Sequence, residues 1–177
     1  MTAAPFRVLT VCTGNICRSP MAEYVLRDAL EQEGLGDRVE VASLGTTGWE
    51  VGNPIDPRAG AILREHGLDP SAHRARATTR EELAGADLVL ALDHDHLGPL
   101  RRMLGERAED TLFMLRDFDP AEPEDTGIRD PWYGGEEDFQ TVWDQITAAT
   151  EGLVPAIKER LAPPRDPASG DSAAEPR

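Results

Sequence analysis

The spacing of apolar positions divides the chain into alternating strand-like and helix-like segments. Phe6 to Cys12 reads as a short buried strand, and Met21 to Glu33 carries Met21, Tyr24, Val25, Ala29 and Leu30 at helical spacing before Gly34. Pro20 is suited to the first helical position, so the loop from Thr13 to Ser19 leads into a helix N-terminus. Val39 to Ser43 predicts a second strand. Asp56-Pro57 caps a helix reaching about His66, which Gly67 closes, and Thr79-x-x-Glu82 matches a capping box for a shorter one. Asp87 to Leu92 predicts a third, almost wholly apolar strand, Asp93 to Leu104 a helix stopped by Gly105, and Thr111 to Leu115 a fourth strand. Glu136 to Leu161 has a long amphipathic pattern built on Phe139, Val142, Trp143, Ile146, Leu153 and Ile157, with Pro155 expected to kink or break it. This order predicts one α/β domain over 1–161, a four-stranded parallel twisted sheet with helices on both faces. Residues 162–177, rich in Pro, Ala, Ser and Asp without apolar periodicity, read as a disordered tail.

Composition narrows what such a domain does. Of 177 residues 40% are apolar, enough for a core, while 33 acidic against 18 basic side chains give a net charge of −15. That balance opposes a nucleic-acid partner. No apolar run is long enough to span a bilayer and the first residues lack a signal-peptide pattern, so no membrane association and a cytoplasmic location are expected. Lys158 is the sole lysine, which removes a Walker-type phosphate lysine and makes Schiff-base chemistry improbable. Cys12 and Cys17 are too few for a disulfide scaffold or a structural zinc site. His66 reads as a helix C-terminal residue near free carbonyls, and His94 and His96 as solvated.

A parallel α/β sheet binds its ligands beyond the carboxyl ends of its strands, which directs attention to Cys12-Thr13-Gly14-Asn15-Ile16-Cys17-Arg18-Ser19 after the first strand. A cysteine, five residues and an arginine at a helix N-terminus form a cradle for a tetrahedral oxyanion, and the same field favours the thiolate of Cys12. Arg18 offers a planar fork to two equatorial oxygens, and Ser19 a hydroxyl to the sulfur. Gly14 and Asn15 suit left-handed backbone that turns amides inward.

The chain resembles the low-molecular-weight protein tyrosine phosphatase family through Val11 to Pro20, Trp49-x-Val51-Gly52, Asp56-Pro57-Arg58 and Asp130-Pro131-Trp132-Tyr133-Gly134, over about residues 6–161. The resemblance implies cofactor-free, metal-free hydrolysis of phosphotyrosine in proteins and of small aryl phosphates, releasing inorganic phosphate. It implies Cys12 as the nucleophile that carries a phosphocysteine intermediate, Arg18 as phosphate ligand and transition-state stabiliser, and Asp130 as general acid, then base. Thr13, Gly14, Asn15, Ile16, Cys17, Arg18 and Ser19 would form the phosphate loop, Ser43 and His73 would brace Asn15, and Trp49, Trp132 and Tyr133 would wall the substrate pocket. Trp132-Tyr133 stands where members often have Tyr-Tyr, and Leu44 where alanine is usual, both bearing on pocket width. Cys17 either packs quietly or closes a disulfide on oxidised Cys12. Tyr133 is a candidate for phosphorylation.

Other readings compete. An arsenate reductase of this fold needs a further cysteine downstream, and none follows Cys17. A protein arginine phosphatase would carry threonine where Ile16 stands. A non-catalytic phosphotyrosine-binding module would lose the nucleophile or the acid, and Cys12, Arg18 and Asp130 are all present. A monomer or weak dimer is expected.

Overall fold

The computed structural model describes residues 3–163. Four parallel strands, β1 (Phe6–Cys12), β2 (Val39–Gly45), β3 (Leu88–Ala91) and β4 (Leu112–Met114), form one sheet in the order β2-β1-β3-β4. Pairing β1 with both β2 and β3 sets Thr10 beside Ser43 and Leu90, and Cys12 beside Gly45 at the sheet's carboxyl end. Among the described residues six α-helices complete the domain: α1 (Arg18–Gln32), α2 (Pro57–Glu65), α3 (Arg80–Ala84), α4 (Leu97–Leu104), α5 (Ala108–Thr111) and α6 (Glu136–Leu161).

Side-chain alternation along the strands separates two cores. Val8, Leu88 and Leu90 face Met21, Leu26 and Leu30 of α1 and Phe139, Ile146 and Leu153 of α6. Leu9, Val11, Val89 and Ala91 face Leu83 of α3 and Leu100 and Leu104 of α4. Both faces of β1 and β3 are covered, which is why these strands read as continuous apolar runs rather than alternating ones. A Cβ at Gly152 would collide with the Phe118 carbonyl, so only glycine lets α6 lie this close to the turn after β4.

Three local expectations change. α1 begins at Arg18, so Pro20 sits inside the first turn rather than at its start; its missing N–H is harmless there, because the first four amides of a helix have no intrahelical acceptor. The segment after β3 is not one helix: Asp93 caps a 3-10 turn, His94–His96, before α4 begins at Leu97. Pro155 does not break α6, which continues to Leu161. Pro155 lies on the exposed side, where the carbonyl deprived of its partner meets water. The tail expected to be disordered lies, from residue 164 onward, outside the described residues. Among the described residues no helix is long and apolar enough to cross a membrane.

Candidate active site

The loop joining β1 to α1 is shaped by one residue. Asn15 has φ 60° and is completely buried. Its side-chain Nδ2 donates to Ser19 Oγ at 2.8 Å and Ser43 Oγ at 2.9 Å, its Oδ1 accepts from the Arg76 amide at 2.9 Å, and its carbonyl pairs with His73 Nε2 at 2.7 Å. Left-handed backbone is unfavourable for a non-glycine residue, and these four bonds offset it. Gly14 was expected to share that conformation and does not; its missing Cβ instead makes room for Glu50, whose Cγ would lie 3.2 Å from a Cβ there. Gly45 lets β2 lie close against this loop, since a Cβ on it would stand 2.8 Å from the Thr13 carbonyl. The amides of Gly14 to Cys17 have no protein acceptor among the described residues, as suits a loop that receives an anion.

Cys12 is buried at the end of β1 with its Sγ 3.0 Å from Ser19 Oγ. Ser19 accepts from Asn15, and its own proton is shared between the Cys12 sulfur and the Leu44 carbonyl, 3.3 Å away. Arg18, 3% exposed, donates through Nη1 to the Ile128 carbonyl at 2.8 Å and lies 3.5 Å from Asp93 and 3.4 Å from Asp130. Asp130 is half exposed at the mouth, where its Oδ1 accepts from the Trp132 amide at 3.1 Å. Cys12, Thr13, Arg18, Trp49, Asp130 and Tyr133 line a cleft of about 240 Å³, to which Gly14, Ile16, Cys17 and Trp132 also contribute. Trp49 and Tyr133 are strongly exposed on its rim, and Trp132 meets Tyr133 edge to face with centroids 4.8 Å apart. A larger hollow of about 430 Å³ between α2 and α6, lined by Pro57, Arg58, Ile62, Phe139 and glutamates, has no cysteine in its wall.

Cys17 is buried, and burial, with the Asp56 and Cys12 charges, pushes its thiol far above the usual range, so it stays protonated. Ser43 and His73 meet at Asn15. Behind them lies a residue that sequence reasoning missed. Glu23 is buried, accepts from Ser43 Oγ at 3.2 Å and from Arg27 at 2.8 Å, and has its carboxyl raised by burial against the pull of Arg27. A lone glutamate between Ala22 and Tyr24 on a buried helix face was the available signal.

Two further residues went unassigned. Arg58 grips Asp56 through two nitrogens, donates to the Trp132 and Gly134 carbonyls at 3.2 Å, and lies over the Phe139 ring. Burial opposes the Asp56 charge, yet Arg58 and the backbone amides hold its carboxyl below the usual range. His96, which the sequence reading places in solvent, is instead 2% exposed, its Nε2 2.9 Å from Thr13 Oγ1. Burial, then the Arg18 charge, pushes its pKa down to about 3. Its position beyond the carboxyl end of β3 was the clue. His66 stays at its helix end, with Nδ1 2.9 Å from the Ile62 carbonyl, stacked on Trp143. Among the described residues no His, Cys, Asp and Glu side chains gather as a metal site.

Residues 7–162 match the family described as low molecular weight phosphotyrosine protein phosphatase. The chain belongs to this family. It is 44% identical over 158 residues to the low molecular weight protein-tyrosine-phosphatase of Streptomyces coelicolor, covering 88% of this chain and 96% of that protein. It is 46% identical over 159 residues to low molecular weight protein-tyrosine phosphatase A of Mycobacterium tuberculosis, covering 89% and 95%. Among solved structures it matches YfkJ from Bacillus subtilis at a TM-score of 0.83 and 32% identity, over 90% of this chain and 99% of that one. The chain is thus a hydrolase of the low-molecular-weight protein-tyrosine-phosphatase type.

Proposed function

We propose that this protein removes phosphate from tyrosine in phosphoproteins, and from small aryl phosphates, in two displacements. The observation that carries this reading is that Cys12, Arg18 and Asp130 line a single cleft with aromatic walls. Cys12 Sγ attacks phosphorus as the thiolate while the bond to the phenolic oxygen breaks, and Asp130 gives that oxygen its proton. Water then attacks the phosphocysteine, Asp130 takes the proton, and phosphate leaves as the thiolate is restored. Arg18 and the free amides of residues 14–17 hold the equatorial oxygens and spread their charge, a task that needs no metal ion. Ser19 steadies the sulfur as leaving group in the second step. Trp49, Trp132 and Tyr133 stack on the substrate ring.

The test is phosphate release from phosphotyrosine, phosphoserine and phosphoarginine peptides in chelator. Wild type hydrolyses the phosphotyrosine peptide; Cys12→Ser abolishes turnover, and Asp130→Ala lowers kcat by about 100-fold or more, the usual size of general acid catalysis. Preference for phosphoarginine moves the protein to an arginine phosphatase with the same reacting groups, and a folded, reduced protein inactive on all three leaves a phosphate-binding module.

The same site carries a redox proposal. Peroxide oxidises the Cys12 thiolate to a sulfenic acid, and Cys17 attacks that sulfur, closing a disulfide and releasing water. Since the buried Cys17 thiol holds its proton tightly, closure is slow. Inactivation by peroxide is then reversed by dithiothreitol in wild type and becomes irreversible in Cys17→Ala, whereas equal recovery of both proteins rejects the pairing.

A further inference from the structure

The turn after β3 touches the phosphate loop at a point that the proposed chemistry leaves unused. The Asp93 amide donates to His96 Nδ1 at 3.0 Å. A neutral imidazole has one bare nitrogen and one protonated nitrogen, so occupying Nδ1 as acceptor puts the ring proton on Nε2. That proton faces Thr13 Oγ1 at 2.9 Å. Thr13 Oγ1 is also 3.4 Å from Arg18 Nη2, whose guanidinium is held on its other nitrogen by Ile128 and approached by the Asp93 carboxylate. One short turn therefore reaches Arg18 twice, through the Asp93 side chain and through the path from His96 to Thr13.

A turn that only capped itself would need the contact between Asp93 and His96, but not a buried donor aimed at the phosphate loop. A protonated ring would also set a second positive charge beside Arg18, so the neutral form is the one compatible with the arginine's position. We infer that His96 is a positioning residue for phosphoryl transfer: by donating to the Thr13 hydroxyl it fixes the support on which the Arg18 guanidinium rests. The inference rests on the phosphatase reading above and adds to it a residue outside the phosphate loop.

The experiment is a double-mutant cycle with para-nitrophenyl phosphate, using wild type, His96→Ala, Thr13→Val and the double variant, with His96→Gln as the conservative replacement. His96→Ala and Thr13→Val each lower kcat/KM about tenfold, the size of one buried hydrogen bond left unmade. The double variant loses no more than either single one, because both remove the same contact. His96→Gln, whose amide still donates toward Thr13, stays within about threefold of wild type. Losses that multiply in the double variant, or a Thr13→Val enzyme as fast as wild type, overturn the inference and leave His96 a part of the turn alone.

Inorganic phosphate affinity, measured by calorimetry on the same proteins, separates this inference from the phosphatase reading. It requires Arg18 but no turnover, and it weakens about tenfold in both single variants and in the double one. If wild type binds phosphate but hydrolyses no aryl ester, the phosphatase reading falls while the cycle on phosphate affinity still decides the role of His96.

Discussion

His96 is buried in the one protonation state that its neighbours tolerate, and this has a consequence in solution. Its ordinary pKa of 6.5 is pushed down to about 3 by burial and by Arg18. Above pH 6.5 the ring is neutral whether the chain is folded or not, so it does not change stability. As pH falls from 6.5 toward 3, the unfolded chain takes up a proton that the folded one refuses, and stability drops by up to about 1.4 kcal/mol per pH unit. Chemical denaturation of wild type and His96→Gln between pH 7 and 4.5 measures this directly. The wild-type curve falls more steeply below pH 6.5, and parallel curves would show that the folded ring accepts the proton. Much of the local arrangement around Cys12 is legible in the sequence. Cys12, Arg18, Ser19 and Asn15 are near one another in sequence, and strand, loop and helix in succession leave few ways to arrange them. His96 and Glu23 were not legible, because a histidine or glutamate acts as a buried donor or acceptor only once distant groups close around it.

At the scale of elements, the loop from Asp130 to Gly134 carries the candidate acid and two rim aromatics but has no regular structure. Arg58 at the start of α2 ties it down through the Trp132 and Gly134 carbonyls, and Asp56 holds Arg58 in turn. Because Arg58 touches neither the cleft nor the reacting groups, its loss acts by letting the acid wander. Arg58→Ala lowers kcat/KM for phosphotyrosine peptides about tenfold, the size of effect that small misplacements of reacting groups produce. Hydrolysis of an ester whose leaving group needs no proton, such as a dinitrophenyl phosphate, changes much less. An equal loss on both substrates would place the effect in the phosphate loop instead. The element order itself was readable from capping and breaking residues, including Asp56 before α2 and Thr79 before α3, whose side chains accept from the Arg58 and Glu82 amides. Misreadings arose where two locally acceptable states compete, as in the 3-10 turn ahead of α4 and the proline inside α6.

The whole molecule carries a net charge of −15, and the proposed phosphatase reaction brings a phosphate dianion to its cleft. A phosphopeptide with basic flanking residues is drawn to such a surface, and one with acidic flanks is repelled. The ratio of kcat/KM for the two peptides at low ionic strength is therefore well above one, and it shrinks toward one as salt rises and screening shortens the range of the field. A ratio indifferent to salt would assign any preference to direct contacts at the rim. The sequence by itself determined the α/β class, the parallel sheet and the tight loop between β1 and α1, since each depends on neighbours a few residues apart whose periodicity, caps and backbone preferences act locally. Tertiary structure alone decided what surrounds that loop. Asp130 lies 3.4 Å from Arg18, His73 reaches Asn15 and His96 reaches Thr13. Each contact joins residues many positions apart, and its distance is set by how helices and turns pack on both faces of the sheet.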